Sequence, residues 1–166
     1  MSHISVKIAC NDLCLEGIYK DAGYSSPLAI IVNGHNGFYN YGVFPYIQQK
    51  LLEKGISSYS FNFSHGGVKG GSDFFEELDK YEKNCMRLET GNTLCVLKNT
   101  HVYFQHHTHI FLLSHSLGGI PAIFAGYEAS ETGIKINGRI MARALKMQAR
   151  SGLQYWLRVQ LVEPAR

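Results

Sequence analysis

The sequence lacks most of what would point away from an ordinary globular domain. No run approaches the roughly 18 consecutive apolar residues of a membrane span, and Met1-Ser2-His3 has no basic-then-apolar signal layout. Both absences predict a cytoplasmic chain that does not engage a membrane. No C-x-x-C pair joins Cys10, Cys14, Cys85 and Cys95. All four lie in segments that read as strand or helix, so buried free thiols are expected, with no disulfide framework or zinc site. Gly66-Gly67 and Gly70-Gly71 fall between a strand and a helix, but neither a G-x-x-x-x-G-K-[ST] nor a Rossmann glycine spacing surrounds them. No cofactor is therefore expected. Aromatic and basic residues do not interleave, which argues against nucleic acid as a partner. Internal repeats and low-complexity tracts are missing, and no linker interrupts the chain before residue 130.

What is present suits one domain. The 166 residues are 45% hydrophobic and 12% aromatic, enough for a sizeable core. The net charge of +3 is unevenly placed: residues 135–166 hold seven basic residues and one acid, leaving residues 1–134 at −3. A solvated, basic C-terminal segment is the expected reading of that asymmetry.

Ile4, Val6 and Ile8 alternate with polar residues, and Leu13, Leu15 and Ile18 follow Asn11-Asp12, which predicts an antiparallel hairpin. Leu28 to Val32 is a short continuous apolar run of the kind buried on both faces of a parallel sheet. Phe44, Ile47, Leu51 and Leu52 share one helical face, with Gly55 as cap, and Ile56 to Phe63 reads as the next strand. Asp73 and Glu76 have capping-box spacing, and Phe75, Leu78, Tyr81 and Cys85 continue a helical face that Thr90-Gly91-Asn92 is expected to interrupt. Leu94 to Leu97 resumes the pattern before a strand that starts near His109. Strands and helices alternate from residue 28, which predicts an α/β fold with a mostly parallel sheet, an antiparallel hairpin at its start and helices on both faces.

That last strand breaks into Ser114-His115-Ser116-Leu117-Gly118-Gly119, and a segment with Ala122, Ala125 and Gly126 follows. An apolar strand, a small-residue turn and an immediate helix make a nucleophile elbow with Ser116 at its apex; Ser114 stands where G-x-S-x-G has its first glycine. With Asn33-Gly34-His35 after the earlier strand and the Phe61-Asn62-Phe63-Ser64-His65-Gly66-Gly67 loop, residues 1–130 resemble the α/β-hydrolase family, in particular its bacterial esterase and serine peptidase-like members. The resemblance implies a Ser116 nucleophile acting on a small-molecule ester or amide. It also implies an oxyanion hole from the backbone N–H groups of His35 and Leu117. By the same resemblance His115 is a packing residue, and Asn62, where many relatives carry Asp, is structural.

A serine of this kind needs a histidine to take its proton and an acid to orient that histidine, and the family's chain order is serine, acid, histidine. After Ser116 there is no histidine, and the acids are Glu128, Glu131 and Glu163. His101, His106, His107 and His109 precede the elbow strand, and seven residues at ~3.3 Å each separate its ends by roughly 20 Å. His35 and His65 follow strands parallel to it and are the only local substitutes for the base. The His106-His107 and His109 cluster is expected to be a solvated loop rather than a metal site, because adjacent strand residues point to opposite faces. Residues 131–166 read as a remnant of the next strand, interrupted by Arg139 and Arg143, and the start of a cap in strand or helix form. The expectation is therefore a hydrolase shortened by an early stop or gene disruption. The alternatives are a non-catalytic binding module that uses the basic tail or an exposed sheet edge, through which the chain would also self-associate, and a base supplied by a second copy.

Overall fold

A computed structural model describes residues 3–107, 109–149 and 152–162. Strands β1 (Ile4–Cys10) and β2 (Leu13–Lys20) form the expected hairpin, followed by β3 (Leu28–Val32), α1 (Phe44–Glu53) and β4 (Ser57–Phe61). A one-turn helix α2 (Leu78–Tyr81), the long α3 (Met86–Lys98) and a second short helix α4 (Thr100–Tyr103) precede β5 (Ile110–His115), α5 (Gly119–Glu131), β6 (Gly138–Ala149) and β7 (Gly152–Val162). The seven strands lie in one sheet ordered β1-β2-β4-β3-β5-β6-β7. The β4-β3-β5-β6 centre is parallel; β1 on β2, β2 on β4 and β6 on β7 are antiparallel.

Alternation along the strands divides the interior into two layers. Leu28, Ile30 and Val32 of β3 join Leu112 of β5, Val96 and Leu97 of α3, Phe104, and Ala122, Ala125 and Ala129 of α5 in one core. Burying each large aliphatic side chain there contributes about 1.5–3 kcal/mol. The three alanines let α5 lie close to the sheet. On the other face Gln48 of α1 is buried and donates to Ser58 Oγ (3.2 Å) and Ile18 O (3.0 Å), which ties α1 across β2 and β4. Helices thus cover both faces of a mixed sheet whose centre is parallel.

Four local expectations are corrected. Cys10 and Cys95 are joined in a disulfide (Cα–Cα 6.0 Å), while Cys14 and Cys85 are exposed free thiols. Packing of α3 beside the tip of the hairpin brings together two residues 85 apart in sequence, a proximity no spacing pattern encodes. A cross-link closing so long a loop stabilises by about 2–4 kcal/mol, and it removes the free-thiol argument for a cytoplasmic location. Residues 73–85 do not form a helix capped by Asp73. Gly67 and Gly71 have positive φ, Val68 pairs with Phe75, and only α2 is helical, with Lys80 bonded to Glu77 rather than Glu76. Phe74 and Leu78 stay exposed, so that face has no core to bury against. Helix α3 runs through Gly91, because burial of Val96 and Leu97 in the core outweighs the ~1 kcal/mol glycine penalty. Finally, the expected interrupted remnant is one continuous strand: residues 138–142 pair with β5 in parallel, and 139–149 pair with 152–162 in an antiparallel hairpin. Glu163 lies outside the described residues.

Candidate active site

The elbow follows from its glycines. Strand β5 ends at His115, Ser116 adopts φ +54°, Ser116–Gly118 make one 3-10 turn, and α5 starts at Gly119. A positive φ is unusual for any residue but glycine and costs of order 1 kcal/mol or more. Packing against the loop after β3 holds it. A Cβ on Gly118 would lie 2.1 Å from Asn33 O and 2.6 Å from Val32 O; one on Gly34 would lie 2.8 Å from His115 O and 3.0 Å from Ser116 Cβ. Only hydrogen fits at either point, so the Asn33-Gly34-His35 backbone rests directly against the elbow. Ser114 is 2% exposed, with its Oγ 3.5 Å from Ile140 O between β5 and β6, so the position of the motif's first glycine accommodates a small polar side chain.

Ser116 and Leu117 are exposed, and no described residue hydrogen-bonds the Ser116 hydroxyl. His35 is exposed at the same carboxyl edge, its Nε2 3.2 Å from Tyr81 Oη; that hydroxyl also donates to Asn36 Oδ1. His65 Nδ1 lies 2.9 Å from Ser64 Oγ, and the Ser64 N–H donates to Asn92 Oδ1 (2.8 Å). Both candidate substitutes for the base are therefore engaged elsewhere than with Ser116. The His115 ring meets Phe44 edge-on (centroids 5.6 Å, 86°), and burial pushes its pKa below the usual histidine value. Asn62 Oδ1 accepts from Tyr39 N–H (2.8 Å) and its Nδ2 donates to Val68 O (3.4 Å), bracing two loops.

One residue here escaped sequence reasoning. Glu89, in the first turn of α3, is 4% exposed, accepts from Asn84 Nδ2 (2.8 Å), and has its carboxyl pKa raised by burial against the opposing effects of Asn84 and the nearby His35. An acid in a helical first turn is too common a pattern to mark it. The acids sequence reasoning did name, Glu128 and Glu131, are exposed in the last turns of α5. At 1.5 Å per residue, Glu128 stands about 18 Å along the chain axis from Ser116.

His106 and His107 lie in a turn, as expected of a loop, but His107 is 8% exposed rather than solvated. His101 lies exposed on α4.

A mixed sheet with a parallel centre, covered on both faces and with a strand, a strained serine turn and a helix at its carboxyl edge, is the α/β-hydrolase fold. No protein-family model and no curated protein matches the chain. Solved structures do. The chain is similar to Est1E from Butyrivibrio proteoclasticus with ferulic acid bound (24% identity, TM-score 0.63, 81% of this chain and 50% of that one). It is also similar to a dienelactone hydrolase from Anabaena variabilis (16%, 0.68, 83% and 61%) and to the Pyrococcus furiosus esterase PF2001 (19%, 0.58, 80% and 46%). It spans about half the length of the two esterases. No helix among the described residues is long and apolar enough to cross a membrane.

Proposed function

We propose that the chain carries the nucleophile and oxyanion-binding half of a serine hydrolase acting on a small-molecule ester or amide. The observation that carries this reading is the positive φ of Ser116 at a strand-to-helix turn. In this reading Ser116 Oγ attacks the carbonyl carbon, its proton passes to a histidine, and the N–H groups of Leu117 and His35 hold the oxyanion that develops. Two features support the oxyanion assignment: the close approach of Gly34 to Ser116, and the opening of a helix just beyond Leu117. Backbone donors fixed this way need no rearrangement as charge builds.

The proton acceptor is the weak part of the machinery. His35 would have to leave Tyr81, or His65 leave Ser64, to reach Ser116, so turnover by the chain alone is expected to be slow. Ferulic acid in the Est1E structure suggests small carboxylic esters as the first substrates to try. The test is labelling of the folded chain with a fluorophosphonate probe: slow labelling that disappears in Ser116→Ala is expected. An unlabelled but folded chain would overturn the reading. It would leave the alternative of a binding module, for which the exposed stripe of Leu117, Ile120, Phe124 and Tyr127 on the α5 side of the elbow is the specific support. Activity that rises with chain concentration would instead assign the base to a second copy.

A further inference from the structure

At the sheet's amino edge, away from the elbow, four segments converge. Strand β2 ends at Lys20 and delivers Asp21; β3 and β5 begin at Leu28 and Ile110 and bring Ser26 and the His106-His107 turn beside it. His107 donates its Nδ1–H to Ser26 O (2.7 Å), which leaves a lone pair on Nε2. That Nε2 lies 2.7 Å from Tyr19 Oη, and His106 Nε2 lies 3.1 Å from the same oxygen and 3.7 Å from Asp21 Oδ1. One ligand atom each from Asp21, His106 and His107 lie within 4.8 Å of one another.

We propose that Asp21, His106 and His107 form a binding site for a divalent transition-metal cation, with Zn2+ the best match to two imidazoles and a carboxylate. Tetrahedral zinc with ligands at 2.0–2.1 Å needs donor atoms about 3.4 Å apart, so the donor atoms have to close by at most about 1.4 Å from their present spread. The supports that orient such ligands are in place. Ser26 O fixes the tautomer and plane of His107, while the Gly23 N–H (2.9 Å) and the Ser57 hydroxyl (3.2 Å) hold Asp21 Oδ1. Tyr24 stacks on His106 (centroids 6.2 Å, 18°). A shallow cavity lined by Asp21, Tyr24, Gln105 and His106 opens on the Asp21 and His106 side of the cluster.

Without metal, the same atoms form a hydrogen-bond relay in which Tyr19 O–H donates to His107 and accepts from the His106 Nε2–H. Binding trades that relay for coordination: His106 carries its ring proton on Nδ1, and Tyr19 turns from bridge to neighbour. The ion would pin the end of β2 to the entrances of β3 and β5, a structural clamp independent of whether Ser116 is active.

The experiment is titration of the chelator-treated full chain with Zn2+, read by calorimetry and by thermal unfolding. Beside it run His106→Ala, Asp21→Asn and a Cys14→Ser/Cys85→Ser chain that removes the exposed thiols as competing ligands. One Zn2+ per chain is expected, with affinity at least tenfold weaker in both ligand variants and unchanged in the thiol-free chain. Zn2+ should raise the melting temperature of the wild type and not of His106→Ala, with circular dichroism confirming that each variant is folded. The proposal is overturned by binding below one equivalent, by equal affinity in Asp21→Asn, or by binding that is lost with the thiols.

Discussion

Ser116 and His107 stand at opposite ends of β5, and their surroundings are inverted. At the carboxyl end the backbone is gripped and the side chain is free: Gly118 and Gly34 leave no space for a methyl group, yet the Ser116 hydroxyl has no hydrogen-bond partner among the described residues. At the amino end Ser25 also has a positive φ, but the side chains saturate one another, with both ring nitrogens of His107 and the hydroxyl of Tyr19 engaged. The difference teaches how one strand serves two purposes. The serine turn is specified by what cannot be added near it, whereas the histidine turn is specified by the bonds within it.

The first way to break this comparison is at the elbow. Gly118→Ala puts a carbon 2.1 Å from Asn33 O, so the β3 loop must shift; a loss of about 3–5 kcal/mol in urea unfolding is expected. A loss under 1 kcal/mol would show that the elbow is not gripped as described. At the other end, Tyr19→Phe removes the oxygen shared by two imidazoles and leaves buried nitrogen unpaired. With chelator present, a cost of about 1–3 kcal/mol is expected, and an unchanged stability would dissolve the contrast.

The smallest effect separates two groups behind the elbow by their pH dependence. Burial raises the Glu89 pKa, so its contribution to stability is present below the unfolded value of 4.5 and lost as pH rises through the folded value; Glu89→Gln should therefore be more stable than wild type at pH 7. His115, lowered by burial, works in the opposite sense: its contribution is present above 6.5 and lost as pH falls toward its folded value. Chemical denaturation of Glu89→Gln and His115→Gln from pH 4 to 8 would resolve the two slopes, and parallel curves for wild type and both variants would refute them.

The parts of the fold that sequence reasoning reached are those written in short periods. Leu28 to Val32 is apolar without a break because both its faces are covered, and the hairpin alternates because its partner strand is adjacent in sequence. The elbow was legible for a similar reason: strand, small residues and helix follow within a dozen positions. What stayed hidden depended on distant partners. The Cys10–Cys95 bridge required knowing that α3 lies beside the hairpin, and the continuity of α3 through Gly91 required knowing which side of it is buried. His106 and His107 were expected in a loop and lie in one, but the burial of His107 against Tyr19 and Ser26 depends on partners 88 and 81 positions away.

The left-handed backbone at residue 116 has a further consequence for the history such a chain can record. Glycine would relax that position by about 1 kcal/mol, so an elbow kept only as scaffolding would gain by shedding its hydroxyl under neutral drift. Serine there carries a standing conformational cost. Comparing the unfolding of Ser116→Gly with that of Ser116→Ala would measure that cost directly, apart from any chemistry the hydroxyl performs.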